Sequence, residues 1–262
     1  MSSFNFKKKF GQNFLKDSKI LNDIVNSIPI KEDDLVIEIG PGAGALTKCI
    51  KNTKCRLICY EIDTELERYL SLLEDDKTKI IYDDFLNRDI GSDIENVKYD
   101  NLYIVANLPY YITTPIIEKI INSNLNINSC IFMVQKEVAD RLSSKEGNKE
   151  YGYISVLLSY YFDINKLFNV NKECFEPIPK VDSAVIKMVS KNNKRTTNME
   201  IFKRLIKDSF RMKRKNIKNN LYNYDLKLIN NVLVNYNLNL QNRAEDIPLD
   251  CFLDIVETIC KN

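Results

Sequence analysis

The tetrapeptide Asn107-Leu108-Pro109-Tyr110 carries groups that could bind a flat, uncharged, polar ligand. The Asn107 amide offers both an acceptor and donors. Pro109 has no N–H and restrains the residue before it, so the Leu108 carbonyl could face a ligand, while Tyr110 offers a ring for stacking. The apolar run from Leu102 to Ala106 predicts a buried strand that leads into it. A strand that ends at a proline turn without binding anything would have the same residues. The rest of the chain is therefore needed to distinguish a binding site from a turn.

A glycine-rich turn follows another predicted strand. That strand runs from Leu35 to Ile39, Gly40 and Gly42 lie in the turn, and a helix is predicted from Ala45 to Ile50. A strand, a glycine turn and a helix in this order open nucleotide-binding α/β units, because the glycines allow a tight turn and close approach of a ligand. The spacing also fits the dinucleotide fingerprint, so a nicotinamide enzyme remains an alternative.

Acidic residues follow the next two predicted strands. Glu61 ends the strand from Arg56 to Tyr60, where a carboxylate can accept hydrogen bonds from a ribose diol. Asp84 follows the strand from Lys79 to Tyr82 and could hold an adenine amino group, although its neighbour Asp83 is an alternative and either could cap a loop. Since ligands of parallel sheets bind at the carboxyl ends of the strands, these groups predict a site for a nucleoside-containing cofactor on one edge.

The composition excludes several kinds of site. The chain has 262 residues and is 44% hydrophobic, which is enough for one large domain or a large and a small one. It has no histidine, and none of its seven cysteines forms a CxxC pair, so we expect no metal site and no histidine-dependent catalysis. No apolar run approaches a membrane span of roughly 20 residues, and no signal-peptide core follows the basic start. We therefore expect a cytoplasmic protein that contacts no membrane.

Positive charge is concentrated in two segments, although the net charge is only +2. Lys7, Lys8 and Lys9 lie near the start, and a basic helix is predicted from Lys203 to Lys218. The central cations of this second segment are Arg211, Lys213, Arg214 and Lys215. Such clusters on a nearly neutral chain indicate a face that binds a polyanion, although a solvated helix face would show the same pattern.

A polar stretch from Asn192 to Asn198 separates two regions with different patterns. The region before it alternates strands and helices, which predicts an α/β domain over residues 1–190. The region after it predicts a small helical domain over residues 191–262. Its expected helices are residues 199–210, 216–222, 226–235 and 249–260.

Several motifs together resemble the ribosomal RNA adenine dimethyltransferases. They are FGQNFL at Phe10 to Leu15, EIGPGAGALT at Glu38 to Thr47, NLPY at Asn107 to Tyr110, FEPIPKVDSAV at Phe175 to Val185 and RMKRKNIKNNL at Arg211 to Leu221. The resemblance covers nearly the whole chain. It implies a Rossmann-like class I methyltransferase, with a mostly parallel seven-stranded sheet and a small C-terminal all-α domain.

The resemblance also implies a cofactor, a substrate and the residues that bind them. The cofactor would be S-adenosylmethionine, and the substrate two adjacent adenosines in a hairpin loop near the 3′ end of small-subunit ribosomal RNA. The enzyme would act as a monomer on an immature 30S-type particle, and both basic segments would contact RNA. The expected cofactor contacts are Asn13, Leu15, Gly40, Gly42, Glu61, Asp84 and Asn107.

In this interpretation the tetrapeptide orients an adenine amine. The Asn107 oxygen and the Leu108 carbonyl would hold the amine protons, with Pro109 restraining the backbone. Tyr110 and Phe175, the latter presented by a proline-braced loop, would clamp the ring. No strong base is required, which agrees with the absence of histidine.

Two related functions remain open at this stage. One is methylation of a single adenosine in 23S ribosomal RNA, as in antibiotic resistance, by the same mechanism. The other is a non-catalytic RNA-binding assembly factor that keeps the fold. FGQNFL and the basic C-terminal motif favour the small-subunit enzyme.

Overall fold

The computed structural model describes residues 13–108, 112–192 and 194–261. In chain order its strands are β1 (Phe14–Leu15), β2 (Leu35–Ile39), β3 (Arg56–Tyr60), β4 (Thr78–Ile81), β5 (Leu102–Asn107), β6 (Ser129–Gln135), β7 (Phe162–Val170), β8 (Phe175–Glu176) and β9 (Ser183–Ser190). One seven-stranded sheet has the order β4-β3-β2-β5-β6-β9-β7, and β1 pairs with β8 in a separate antiparallel ribbon. β2, β3, β4, β5 and β6 pair in parallel, and β9 runs antiparallel to β6. This sheet confirms the predicted fold class.

Helices connect these strands and make up most of the C-terminal region. They are α1 (Ser18–Asn26), α2 (Ala45–Lys51), α3 (Glu67–Leu70), α4 (Ile90–Ile94), α5 (Thr113–Asn122), α6 (Lys136–Leu142), α7 (Tyr153–Tyr161), α8 (Met199–Ser209), α9 (Ile217–Asn220), α10 (Leu226–Val234) and α11 (Leu249–Lys261). Within the ranges that the structure describes, no helix is long and apolar enough to cross a membrane.

Local chemistry explains where α1 begins. The Asp17 side chain accepts hydrogen bonds from the N–H groups of Lys19, at 2.9 Å, and Ile20, at 3.2 Å. Such an N-cap stabilises a helix by typically ~1 kcal/mol. The buried residues of α1, including Leu21 and Ile24, join the apolar cluster that covers the sheet. This sequence therefore encodes both the start of α1 and the face that it buries.

Contacts divide the chain into two compact units. The α/β unit comprises Met1–Ala139 and Asn165–Ser190, and the helical unit comprises Asp140–Ile164 and Lys191–Asn262. In the α/β unit, β2 is buried along its whole length, as expected for a strand inside a parallel sheet. In the helical unit, Phe202 and Phe252 are fully buried. The domain boundary expected at residue 190 stays a prediction.

The structure differs from the sequence analysis at the basic segment and at one strand. Lys203 to Lys218 is not one basic helix, because α8 ends at Ser209 and Asn216 caps α9 with its side chain. The separate helices expected over residues 199–210 and 216–222 are confirmed. The strand Phe162–Val170 was not predicted. Lys166 interrupts its alternating apolar positions and Leu167 lies out of phase with them, so the sequence lacks the strict alternation that identifies a strand.

Candidate active site

A cavity of about 240 Å³ lies in the α/β unit, at the carboxyl ends of β2, β3, β4 and β5. Its volume lies just below the range of roughly 300–1,000 Å³ that is typical of small-molecule sites. The parallel register of these strands brings their ends to one edge. The structure thus brings together the residues expected to contact the cofactor, all of which line this pocket: Asn13, Leu15, Gly40, Gly42, Glu61, Asp84 and Asn107.

Backbone donors orient the Glu61 carboxylate. The N–H of Gly42 donates to Oε2 at 3.0 Å, and the N–H of Asp63 donates to Oε1 at 2.9 Å. Glu61 is buried, and desolvation raises its pKa, while the two N–H groups oppose that rise. Each carboxylate oxygen has a second acceptor position, so Glu61 can also accept hydrogen bonds from a ligand's hydroxyls.

Two glycines with positive φ shape the turn after β2. At Gly42 (φ +60°), an added Cβ would lie 2.5 Å from Cε1 of Phe14, so only glycine lets that ring pack against the turn. At Gly40 (φ +70°), an added Cβ would meet no atom of the described residues within 4 Å. The turn is therefore closed by Phe14 at one glycine and open at the other, which leaves room for a ligand beside Gly40.

The two aspartates after β4 have different partners. Asp84 is half-buried, and its Oδ1 accepts a hydrogen bond from the Leu86 N–H at 2.9 Å. Asp83 has an ion-pair partner, because its Oδ2 lies 3.6 Å from Nη1 of Arg88. Both line the pocket. Asp83 thus lies near a guanidinium that also pairs with Asp93, and the assignment of an adenine contact to Asp84 stays a prediction.

Asn107 ends β5 with its amide held in one orientation. Its Nδ2 donates to the carbonyl oxygen of Asn13 at 3.0 Å. The N–H of the next residue, Leu108, donates to the Met133 carbonyl at 3.0 Å, which extends the pairing with β6 by one residue. Because Nδ2 donates to the Asn13 carbonyl, the side-chain oxygen is the part of the amide suited to accept a hydrogen bond from a ligand.

Some of the expected site residues are placed elsewhere or are not described. Phe175 is only 3% exposed and lies in the apolar core, where it pairs with Leu15 across the β1–β8 ribbon. Its ring does not line the pocket in this structure, so its clamping role stays a prediction. The expected site residues that lie outside the described ranges are Lys7, Lys8, Lys9, Pro109 and Tyr110.

Glu38 lines the pocket although the sequence analysis gave it no role. It lies within β2, is 1% exposed, and accepts a hydrogen bond from the Cys59 thiol, with 3.6 Å between Sγ and Oε2. Burial raises the pKa of Glu38 to about 7, against the opposing effects of Thr47 and Cys59. An acidic residue inside an otherwise apolar strand is the signal that could have identified it.

The central cations of the second basic segment, Arg211, Lys213, Arg214 and Lys215, belong to the helical unit. They form a loop between α8 and α9, which we call the basic loop and define as residues 211–215. Every residue of this loop is exposed. Its charge is therefore available to an external partner.

The chain resembles known proteins along almost its whole length. A family model described as "Ribosomal RNA adenine dimethylase" matches residues 3–261. "Ribosomal RNA small subunit methyltransferase A" of Aster yellows witches'-broom phytoplasma is 42% identical over 251 residues, which cover 94% of this chain and 93% of that relative.

Two solved structures share the fold. A dimethyladenosine transferase from Plasmodium falciparum has a TM-score of 0.80 at 24% identity, covering 95% of this chain and 98% of that one. A 23S rRNA methyltransferase has a TM-score of 0.73 at 21% identity, covering 94% and 99%. At these identities the likeness extends to the fold alone. The match to the family model and the 42% identical relative show that this chain belongs to the ribosomal RNA adenine dimethylase family.

Proposed function

We propose that this enzyme uses S-adenosylmethionine to dimethylate N6 of two adjacent adenosines in a hairpin loop near the 3′ end of small-subunit ribosomal RNA. The observation that carries the proposal is the Asn107 amide, which the Asn13 carbonyl holds at 3.0 Å, so that its oxygen can serve as an acceptor. The name of the 42% identical relative supports the choice of the small subunit.

The donor set of the pocket fits this cofactor. Glu61 would accept hydrogen bonds from the ribose hydroxyls, Asp84 would hold the adenine amino group, and the space beside Gly40 would admit the ligand to the backbone. S-adenosylmethionine, when bound, supplies a methyl group on a positively charged sulfur. The fit rests on a buried carboxylate oriented by two N–H groups at the end of β3.

The target amine needs orientation more than deprotonation. The nitrogen lone pair of adenine N6 is delocalised into the ring, so it is a poor nucleophile. The Asn107 oxygen and the Leu108 carbonyl would hold the two N–H protons and turn the lone pair toward the methyl group. Positioning of this kind contributes up to roughly 7–11 kcal/mol in favourable cases. A chain without histidine can perform such a reaction.

The basic loop would contact RNA phosphate. Its exposed cations attract any polyanion, and the flipped adenosine in the pocket would supply the sequence-dependent part of recognition. We further propose that the enzyme acts in the cytoplasm as a monomer on an immature 30S-type particle, because that particle would expose the hairpin.

The proposal is tested by mapping modified nucleotides. Immature small subunits that lack the modification are incubated with the protein and labelled S-adenosylmethionine, and the RNA is digested and analysed by mass spectrometry. We expect N6,N6-dimethyladenosine at two neighbouring positions of the small-subunit RNA. The Asn107→Ala variant should give far less in the same incubation time, whereas Asn96→Ala, at an exposed asparagine away from the pocket, should match the wild type.

Two outcomes would contradict the proposal. Methylation confined to 23S RNA, when both subunits are offered, would indicate the resistance-type activity. Tight binding without methyl transfer by the wild-type protein would indicate a non-catalytic assembly factor.

A further inference from the structure

One buried amide fixes the basic loop from inside. Asn220, 4% exposed on α9, accepts a hydrogen bond from the Met212 N–H at 3.1 Å. Its Nδ2 donates to the carbonyl of Met212 at 3.2 Å and to that of Lys215 at 3.4 Å. The Lys215 N–H also donates to the Met212 carbonyl, at 2.8 Å. The cations of the loop are therefore carried on a backbone with a defined path.

An exposed aromatic ring lies beside this loop. Tyr222 follows α9 and is 60% exposed, and the guanidinium carbon of Arg211 lies 5.5 Å from its ring centroid. Nearby tyrosine Tyr224 differs, because it is half-buried and its hydroxyl donates to Asp208 at 2.7 Å. Tyr224 thus has a structural role and is hydrogen-bonded to Asp208, the acidic residue nearest to the loop in sequence. The Tyr222 ring instead faces solvent next to Arg211.

We propose that Tyr222 and Arg211 form a stacking platform for an unpaired nucleobase, beside a loop that contacts the neighbouring phosphates. An aromatic face, an adjacent guanidinium and several cations on a hydrogen-bonded loop are the groups that single-stranded nucleic acid binds. An acidic peptide would need the cations but not the ring. A duplex offers phosphates but keeps the faces of its bases stacked inside. The inference rests on the proposed RNA function and adds a second place where this enzyme recognises an unpaired base.

Two labelled RNAs test the platform. One is a hairpin with an unpaired loop, and the other is a blunt duplex of equal length; their dissociation constants are measured by fluorescence anisotropy at several salt concentrations. We expect Tyr222→Ala to weaken hairpin binding by about tenfold, within the range for removal of one stacked base. Duplex binding and the salt dependence should not change. Tyr222→Phe keeps the ring and should bind both RNAs as the wild type does.

Other results would overturn the inference. Unchanged hairpin binding by Tyr222→Ala, or equal losses on hairpin and duplex, would show that no base stacks there. The double variant Lys213→Glu/Arg214→Glu separates this failure from failure of the RNA-binding role itself. If that variant weakens both RNAs while Tyr222→Ala changes neither, only the platform is wrong. If the double variant and Tyr222→Ala both bind the two RNAs like the wild type, the proposed RNA contact of the basic loop is wrong, and the platform with it.

Discussion

The pocket of the α/β unit and the basic loop of the helical unit present their polar groups in different ways. In the pocket, Glu61 is buried and Asn107 is half-buried, and backbone groups orient both side chains. In the loop, a buried amide from Asn220 fixes the backbone, and the charged ends of the side chains reach solvent. A buried acceptor depends on its position to a fraction of an ångström and little on salt, whereas an exposed charge is screened within about 8–10 Å in ordinary buffers. The two regions should therefore respond differently to substitution and to ionic strength.

The largest effect is expected at Asn107. Asn107→Ala removes the acceptor and should lower kcat for methyl transfer by about 10²–10³-fold, which is typical of removing one oriented hydrogen-bonding group from an active site. RNA affinity and its salt dependence should stay unchanged, because the basic loop is intact. Radiolabel transfer and anisotropy measure the two quantities, and Asn96→Ala serves as the control. An equal fall in RNA affinity would mean that the two regions do not act separately.

The next effect concerns pH and stability at Glu38. Its pKa is about 7 in the folded protein against an ordinary value of 4.5, so between these pH values the folded state keeps a proton that the unfolded chain releases. Stability should therefore fall as pH rises from about 4.5 through 7, by up to roughly 3 kcal/mol. Glu38→Gln imitates the protonated form and should remove this part of the pH dependence. Urea unfolding at pH 5 and pH 8 measures it.

An exposed carboxylate provides the comparison for this experiment. Glu67→Gln, on α3, should keep the pH dependence of the wild type. If Glu38→Gln also kept it, burial of the Glu38 side chain would not control its ionisation.

Removal of the Glu61 carboxylate should weaken cofactor binding. Glu61→Ala is expected to raise the Kd for S-adenosylmethionine by about 10- to 100-fold, since hydrogen bonds to a charged group contribute roughly 1.5–3 kcal/mol. Isothermal titration calorimetry gives the Kd, and thermal unfolding reports any decrease in stability from the freed N–H groups of Gly42 and Asp63. Unchanged affinity in a folded variant would remove Glu61 from the cofactor site.

The smallest effect is expected in the basic loop. Reversing Arg211, Lys213 and Arg214 to glutamate should weaken RNA binding by about tenfold near 0.15 M salt and flatten its salt dependence, by about 0.7–0.9 in log–log slope for each phosphate that is no longer neutralised. The rate of methyl transfer at saturating RNA should stay the same. Lys227→Glu, an exposed cation on α10, is the matched control. An unchanged slope in the triple variant would indicate a solvated surface.

The difference between the pocket and the basic loop also explains which features could be predicted from the sequence. The strands that build the pocket are short, apolar and bounded by glycine or polar residues, so β2 and β3 were predicted with the limits that the structure has. The turn glycines, Glu61 and Asn107 follow directly from those strand ends. Local patterns were sufficient because each group lies within a few residues of the end of its strand.

Long-range contacts account for what the sequence did not reveal. Phe175 is buried because β8 pairs with β1 from a distant part of the chain, and its expected clamping role stays a prediction. The helices on both sides of the basic loop were expected, but the role of Asn220, whose amide bonds the loop backbone, was not. The hydrogen bond from Asn107 to Asn13 likewise joins distant parts of the chain. Spacing along the sequence carries no signal for these contacts.

The orientation of the Asn107 amide is tested most directly by Asn107→Asp. This variant keeps an acceptor oxygen but replaces the Nδ2 donor, so a carboxylate oxygen would face the Asn13 carbonyl. The measurement is the single-turnover rate of methyl transfer with cofactor and RNA both saturating, beside that of Asn107→Ala. We predict that the rate of Asn107→Asp falls by roughly tenfold or more while both affinities are retained. A wild-type rate would contradict the claim that an amide held by Asn13 orients the adenine amine.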